Sequence, residues 1–391
     1  MRNLDFLTKT KSGFISLFIY FLFTIGVSLQ IGGANWDIVW HGSKNVESFL
    51  TPPHAVIYSG VVLTIGSLLV GIAIYGQIII NKYNKKFFNF TEILKKNSLI
   101  PFALKLVFVG SILQITAGPF DFLWHTAFGF DGLLSPPHLV LVTGMFLVSI
   151  GGMVGIFNYL KSSTPTTSLL TAVIPKTLFL ISCGVVLIVA VDIVLLFTLP
   201  FSNGQYFNFN PEPFSAIFIA IISMPFIMST ILATISSSLK IPFTFTSVAS
   251  VIILIQTVST IISNSYFFGI FPYYILNIIP ALIIDLTLLK YVKYKNQNNN
   301  NNIDEYENTL NKRYSIASIV FSLFFIPLFF PWTVDVFGGF FKPSNEIRTE
   351  EFLLQILFPI ILPIVIPLSL FSSFVGTIFS KKIRQRFCIK I

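Results

Sequence analysis

Long apolar segments alternate with short polar connections along most of the chain. A helix needs about 20 mainly apolar residues to cross the hydrocarbon core of a bilayer. Ten segments meet that need, at residues 14–31, 52–80, 99–118, 136–161, 168–199, 214–235, 243–262, 268–291, 314–332 and 352–379. The pattern therefore predicts an all-α protein, a polytopic membrane helix bundle of about ten transmembrane helices.

Composition supports an integral membrane protein. Hydrophobic residues make up 54% of the 391 residues and charged residues only 10%, whereas soluble domains carry about 25% charged residues. The net charge of +9 would suit a nucleic-acid partner, but the basic residues lie in the connections between the apolar segments. We therefore predict the lipid bilayer as the partner and exclude nucleic acid, while further membrane subunits remain open.

The positions of the basic residues predict the topology. Lysines and arginines are enriched at residues 1–11, 82–96, 290–313 and 381–386, and cytoplasmic connections carry the excess of positive charge. This distribution places both termini of a multi-pass cell-membrane protein in the cytoplasm. It also places the first and third connections between helices at the outer face.

The chain divides into two predicted domains. Residues 1–165 contain four transmembrane helices that form a tandem repeat of one hairpin, and residues 166–391 contain six more. An Asn-rich cytoplasmic linker is predicted near residues 292–312, around the asparagine run at 298–302.

The two hairpins share a polar pattern at a constant offset of 84 residues (37 to 121, 41 to 125, 54 to 138). The first copy comprises Gln30, Asp37, Trp40, His41, Glu47, Thr51, Pro52, Pro53 and His54. The second copy comprises Gln114, Asp121, Trp124, His125, Asp131, Ser135, Pro136, Pro137 and His138. All 4 histidines of the chain lie in this pattern, which makes it the candidate functional region.

The spacing brings one carboxylate and two imidazoles together in each hairpin. Asp37 and His41 are four residues apart and share one face of a helix. Thr51 is a suitable N-cap and Pro52 suits the first helical position, so His54 falls in the first turn of the next helix. Asp, His and His suit a first-row transition metal, with copper, zinc and iron all chemically acceptable.

In the second copy, Asp121, His125 and His138 form the same set, and Pro119 is predicted to end or kink the helix before Asp121. Further ligands, or groups that orient the ligands, are predicted among Glu47, Asp131, Gln30, Gln114, Trp40 and Trp124. The two tryptophans also suit the membrane interface, where indole rings are favoured.

Three alternatives stay open at this point. The histidines can serve only as hydrogen-bonding groups that hold each hairpin together. Haem ligation is less favoured, because His41 and His54 lie at the same end of one hairpin with little room for a porphyrin. Finally, Asp37 and Asp121 can bridge a single dinuclear centre instead of serving two separate sites.

The motif resembles one of a known family. Asp37-Ile38-Val39-Trp40-His41, followed by Thr51-Pro52-Pro53-His54, is similar to the Asp-x-x-Trp-His and Thr-Pro-Ser-His elements in the C subunit of the membrane-bound copper monooxygenases, the particulate methane and ammonia monooxygenases. The family subunit carries the motif once, whereas this chain carries it twice, and the resemblance covers only residues 30–144. It implies a copper site in each triad and the oxidation of a small molecule by dioxygen.

The leading hypothesis is therefore a membrane metal-binding protein that holds copper and is either an oxidoreductase or an accessory subunit of one. The rival hypothesis is a transporter or copper-handling protein whose histidines are structural or proton-coupled. Asp192 and Asp285 favour the rival, because a carboxylate inside an apolar segment is costly unless it is paired or lines an ion path.

Overall fold

A computed structural model describes residues 11–43, 50–83, 100–129, 133–162, 173–199, 212–297, 303–341 and 362–388. The α-helices of these residues are α1 (Lys11–Gly42), α2 (Pro52–Tyr83), α3 (Phe102–Phe128), α4 (Pro136–Ser162), α5 (Ile174–Leu196), α6 (Pro213–Leu239), α7 (Thr244–Ser263), α8 (Phe271–Ile275), α9 (Ile278–Gln297), α10 (Ile303–Phe341) and α11 (Leu362–Cys388). A 3₁₀-helix at Ser265–Ile270 precedes α8. Glu47, Asp131 and the asparagine run at 298–302 lie outside the described residues.

The all-helical membrane fold is confirmed. The described part of the chain contains helices and no strand. It holds 10 segments that are long and apolar enough to cross a membrane, in agreement with the number predicted from the hydrophobic pattern. One of these segments, Ser265–Tyr294, combines the 3₁₀-helix, α8 and most of α9.

The first and third helices are longer than predicted. α1 continues past residue 31 to Gly42, and α3 continues through Pro119 to Phe128. The helix does not end at Pro119, so that part of the prediction is wrong, while a kink at Pro119 stays a prediction. A proline inside a transmembrane helix is tolerated because neighbouring groups satisfy the backbone around it. As a result, each Asp-x-x-x-His segment belongs to the last turns of a long helix.

The chain folds into two compact units, the first extending to Val189 and the second starting at Ala190. α5 begins in the first unit and ends in the second. The domain boundary near residues 165/166 stays a prediction.

Close helix packing builds the first unit, in which α1 packs on α2, α3 packs on α4, and α1 also contacts α4. A Cβ atom at Gly60 would lie 2.8 Å from Cγ of Gln30, and one at Gly144 would lie 2.8 Å from Cγ of Gln114. Small residues allow membrane helices to approach this closely. The two helices of each hairpin therefore approach closely at a glycine in the matching position, and this close packing helps to set the spacing of the helix ends that carry the histidines.

In the second unit, α6 packs on α10 and α11, and α7 packs on α9. Hydroxyl groups link the α6–α11 pair: Thr230 Oγ1 donates to the Gly376 carbonyl at 3.2 Å, and Ser369 Oγ donates to the Ile221 carbonyl at 3.2 Å. Such hydrogen bonds between helices are typical of membrane bundles.

Asp285 has a structural role in this unit. Its carboxylate accepts the backbone N–H of Thr246 at 2.7 Å, the Thr246 hydroxyl at 2.7 Å and the backbone N–H of Phe245 at 3.4 Å. These amides belong to the first turn of α7, which lacks a side-chain cap of its own. A carboxylate at a helix N-terminus satisfies orphan N–H groups and opposes the helix dipole. These hydrogen bonds explain why a carboxylate lies in this apolar segment, and the explanation requires no ion path.

Candidate metal centres

Each histidine pair lies close to its aspartate at the end of the hairpin where the first helix ends and the second begins. α1 carries Asp37 and His41 in its last turns, and His54 lies in the first turn of α2. The Thr51 side chain accepts the backbone N–H of His54 at 3.4 Å, and Pro52 is the first residue of α2. The predicted cap and helix start are thus confirmed.

The second hairpin repeats this construction. α3 carries Asp121 and His125 near its C-terminal end, and Pro136 starts α4. The Ser135 side chain accepts the backbone N–H of His138 at 3.4 Å, the same length as in the first hairpin. The backbone therefore holds both second-helix histidines in the same way.

The side chains converge in both clusters. In the first, Oδ2 of Asp37 lies 3.2 Å from Nε2 of His41, and Oδ1 lies 3.3 Å from Nε2 of His54. In the second, Oδ1 of Asp121 lies 3.5 Å from Nε2 of His125 and 3.3 Å from Nε2 of His138.

The imidazole rings stand at nearly the same separation in the two clusters. Their centroids lie 6.2 Å apart for His41 and His54, and 6.1 Å apart for His125 and His138. The exposed fraction of the six side chains ranges from 14% to 26%. The clusters are thus half-buried, within reach of a small ion.

The separations are compatible with ligands around one ion. In each triad, one candidate ligand atom per residue lies within 4.8 Å of the other two. A charge-assisted N–H···O bond is usually about 2.7–2.9 Å long. Two atoms bound tetrahedrally at about 2.0–2.1 Å from a metal are about 3.3 Å apart. The contacts of 3.2 to 3.5 Å match the second value.

The ring orientations in the second cluster direct lone pairs at the carboxylate. Nδ1 of His125 lies 3.1 Å from the Gly129 carbonyl oxygen, and Nδ1 of His138 lies 2.9 Å from the Leu133 carbonyl oxygen. Because a carbonyl oxygen only accepts, each Nδ1 carries the hydrogen and a neutral ring leaves Nε2 as an acceptor.

Two acceptor nitrogens therefore face the same oxygen of Asp121. This arrangement becomes favourable when a metal ion or a proton lies between the nitrogens and the oxygen. Hydrogen bonds from Nδ1 to carbonyl oxygens are the usual way in which proteins orient metal-binding histidines. The carbonyls at the matching positions of the first hairpin, residues 45 and 49, lie outside the described residues.

Gly129 provides one of these carbonyls through an unusual backbone conformation. It ends α3 with φ 70° and ψ −162°, a region open almost only to glycine. Its N–H donates to the His125 carbonyl at 2.9 Å, while its own carbonyl faces the His125 ring. A glycine four residues after His125 was the available sequence signal, but the pattern alone did not single it out.

A role for the glutamines and tryptophans as further ligands or orienting groups stays a prediction, and the structure shows their surroundings. Gln30 is buried and donates to Thr64 Oγ1 at 3.4 Å, which places its amide at the helix crossing. Gln114 is also buried at its own crossing. Trp124 packs between Phe120 and Phe128 at centroid distances of 6.1 and 4.5 Å. Trp40 is half-buried.

Tyr58 is a neighbour of the clusters that sequence reasoning missed. Its ring centroid lies 5.9 Å from that of His54, and its hydroxyl is within electrostatic reach of both Asp37 and Asp121. The matching position in the second hairpin is Val142, so the repeat gave no signal for this residue.

No family model, curated protein or solved structure matches the chain. The geometry of the two clusters is therefore the basis for any statement about function.

Proposed function

We propose that this chain is an integral membrane metalloprotein with two mononuclear transition-metal sites, one per hairpin. Asp37, His41 and His54 would hold the first ion. Asp121, His125 and His138 would hold the second. The observation that carries the proposal is the convergence of two histidine Nε2 atoms on one carboxylate in each hairpin, at ligand-to-ligand distances.

Two separate sites are favoured over one shared centre. Each cluster contains a complete set of one carboxylate and two imidazoles, and among the described residues no metal-binding group combines the two hairpins. A dinuclear centre would hold two ions about 3.5–4 Å apart. Each aspartate instead faces both histidines of its own hairpin, so neither is positioned as a bridge.

Copper is the proposed metal, with zinc and iron as the chemical alternatives. Imidazole nitrogen suits all three ions, and copper binds most strongly in the usual order of divalent metals. The Asp-x-x-Trp-His pattern supports copper by its likeness to the copper monooxygenase C subunit. On this basis the chain is an oxidoreductase or an accessory subunit of one, and three protein ligands per ion leave room for a substrate or water.

Metal analysis together with X-ray absorption spectroscopy of the purified full chain tests this proposal. We expect copper with nitrogen and oxygen neighbours, imidazole scattering and no sulfur ligand. The matched variants His41→Ala and His125→Ala should each lose one ion. Sub-stoichiometric metal that neither variant changes would contradict the proposal.

A transporter is the second candidate, and one observation favours it. Asp192 has a buried carboxylate oxygen without a hydrogen-bond partner among the described residues. An ionisable group of this kind inside a membrane protein is a candidate for a proton or ion path. Ion uptake into proteoliposomes, abolished by Asp192→Asn but retained by His41→Ala, would support this candidate.

A further inference from the structure

A groove between α9 and α10 lies in the second unit, separate from both histidine clusters. Its volume is about 580 Å³, within the usual range of about 300–1,000 Å³ for ligand pockets. Buried Ile284, Leu288 and Ala317 form the floor, and exposed Ile283 and Ile316 form the rim. Most of the groove is therefore apolar.

Two cations lie at one end of this groove. Lys312 and Arg313 line it together with the Thr309 side chain. The guanidinium of Arg313 lies 3.7 Å from the centroid of the Tyr291 ring, a cation–π contact that restricts its position. A guanidinium carries five N–H donors and suits phosphate. This end of the groove therefore offers donors to an anion.

Nearby acidic groups do not neutralise these cations in the described part of the chain. The Glu307 carboxylate is paired with Lys240 at 2.7 Å, and neither Lys312 nor Arg313 forms an ion pair with a described residue. The positive charge at the groove is thus available to a ligand.

The groove extends from the cations into the apolar part of the bundle. Val320, at its other end, is seven residues beyond Arg313, or about 10 Å along a helix at about 1.5 Å per residue. Both residues lie within the candidate membrane span Glu305–Val334. A charged end near the start of the span and an apolar channel leading inward suit a molecule with an anionic head and a hydrocarbon tail.

We propose that this groove binds one anionic phospholipid, with its phosphate at Lys312 and Arg313 and an acyl chain along Ile284, Leu288 and Ala317. The basic connection around residues 290–313 is predicted to be cytoplasmic. Basic pockets between helices at that membrane face suit anionic lipid head groups. The site is independent of the metal sites, so either proposal can fail without the other.

Native mass spectrometry of the full chain, titrated with phosphatidylglycerol or with phosphatidylcholine of identical acyl chains, tests the site. We expect one retained phosphatidylglycerol and much weaker binding of phosphatidylcholine. Each lysine or arginine near the membrane surface strengthens the binding of anionic lipid about fivefold. Lys312→Gln or Arg313→Gln should therefore weaken phosphatidylglycerol binding about fivefold, and the double variant about 30-fold.

Lys293→Gln is the matched control, because Lys293 is exposed on the same connection but does not line the groove. It should leave binding unchanged. The single variants keep the test informative if the double variant does not fold. Equal binding of the two lipids, equal loss in Lys293→Gln, or displacement of the lipid by glycerol phosphate lacking acyl chains would overturn the proposal.

Discussion

His138 directs its Nε2 atom at Oδ1 of Asp121, 3.3 Å away, while its Nδ1 lies 2.9 Å from the Leu133 carbonyl oxygen. The contact with the carbonyl places the hydrogen on Nδ1. When the ring is neutral, its Nε2 atom is therefore an acceptor, and it faces a second acceptor, the carboxylate oxygen. His125 repeats the relationship with the same carboxylate oxygen at 3.5 Å. A cation among these three groups removes the repulsion, and the predictions about metal binding depend on that inference.

Removal of the metal should lower the free energy of unfolding, because the aspartates and histidines bind it in the folded state. A ligand that binds only the folded state stabilises it by about 2.7 kcal/mol at a concentration of 100 Kd. A chelator should therefore lower the unfolding temperature of the wild-type chain. Asp121→Asn should show a smaller chelator effect, because one site is already lost. Its metal-free stability should stay near wild type, because the new amide can donate to Nε2. An equal chelator effect in both proteins would contradict this.

Gly129→Ala should weaken the second site and spare the first. An added Cβ has no atom within 4 Å, but alanine strongly disfavours φ 70°. The backbone must shift and move the carbonyl that orients His125. Loss of a group that orients a ligand costs about 10- to 100-fold in metal affinity. Isothermal titration should resolve one weakened and one unchanged site, so equal weakening of both would argue against this role for Gly129.

Alanine at the helix crossings should destabilise the first unit. A Cβ at Gly144 would lie 2.8 Å from the Gly110 carbonyl oxygen and 3.2 Å from the backbone nitrogen of Gln114, neither of which can rotate away. Overpacking of this kind costs about 1–3 kcal/mol. Thermal unfolding of Gly60→Ala and Gly144→Ala measures this effect.

Gly66→Ala is the control for this comparison, since Gly66 lies on α2 with no atom within 4 Å of an added Cβ. It should be neutral or stabilising by up to about 1 kcal/mol, because alanine favours helix more than glycine does. Equal losses at all three positions would show that close packing is not the cause.

Asp285→Ala should lower stability by about 1–3 kcal/mol, because two amides of the first turn of α7 lose their acceptor. Thr246→Val removes only the hydroxyl contact and should cost less. Chemical unfolding in detergent compares the two variants. A stable Asp285→Ala protein would assign Asp285 to something other than capping.

The predicted topology can be tested by cysteine labelling. In a background with Cys183 and Cys388 replaced by serine, Lys85→Cys should react only after a membrane-impermeant reagent reaches the cytoplasmic side. Ser202→Cys, in a predicted outer connection, should react from outside. Labelling of Lys85→Cys from outside would refute the topology and the outer-face position of the clusters.

The sequence predicted the number of candidate membrane spans, the Thr51 cap and the grouping of each triad, because each depends on local spacing. The length of α1 could not be read in the same way. The first segment was predicted to end at residue 31, yet α1 continues past Gly33, where a Cβ would lie 2.7 Å from Cγ1 of Ile57 and 3.0 Å from the Pro53 carbonyl oxygen. This glycine serves close packing, and only the partner helix reveals that. Tyr58, in contrast, lies four residues after His54 on α2, a spacing that places the two rings on one helix face and that the sequence already contained.

The number of metal ions bound per chain is the most direct test of the central claim. It can be measured by elemental mass spectrometry on wild type, His41→Ala, His125→Ala and the double variant, each purified under the same copper supply. Two independent sites predict about two ions in the wild type, one in each single variant and none in the double variant. Loss of all metal from either single variant would indicate one shared centre. Metal content that is low and equal in all four proteins would contradict the account.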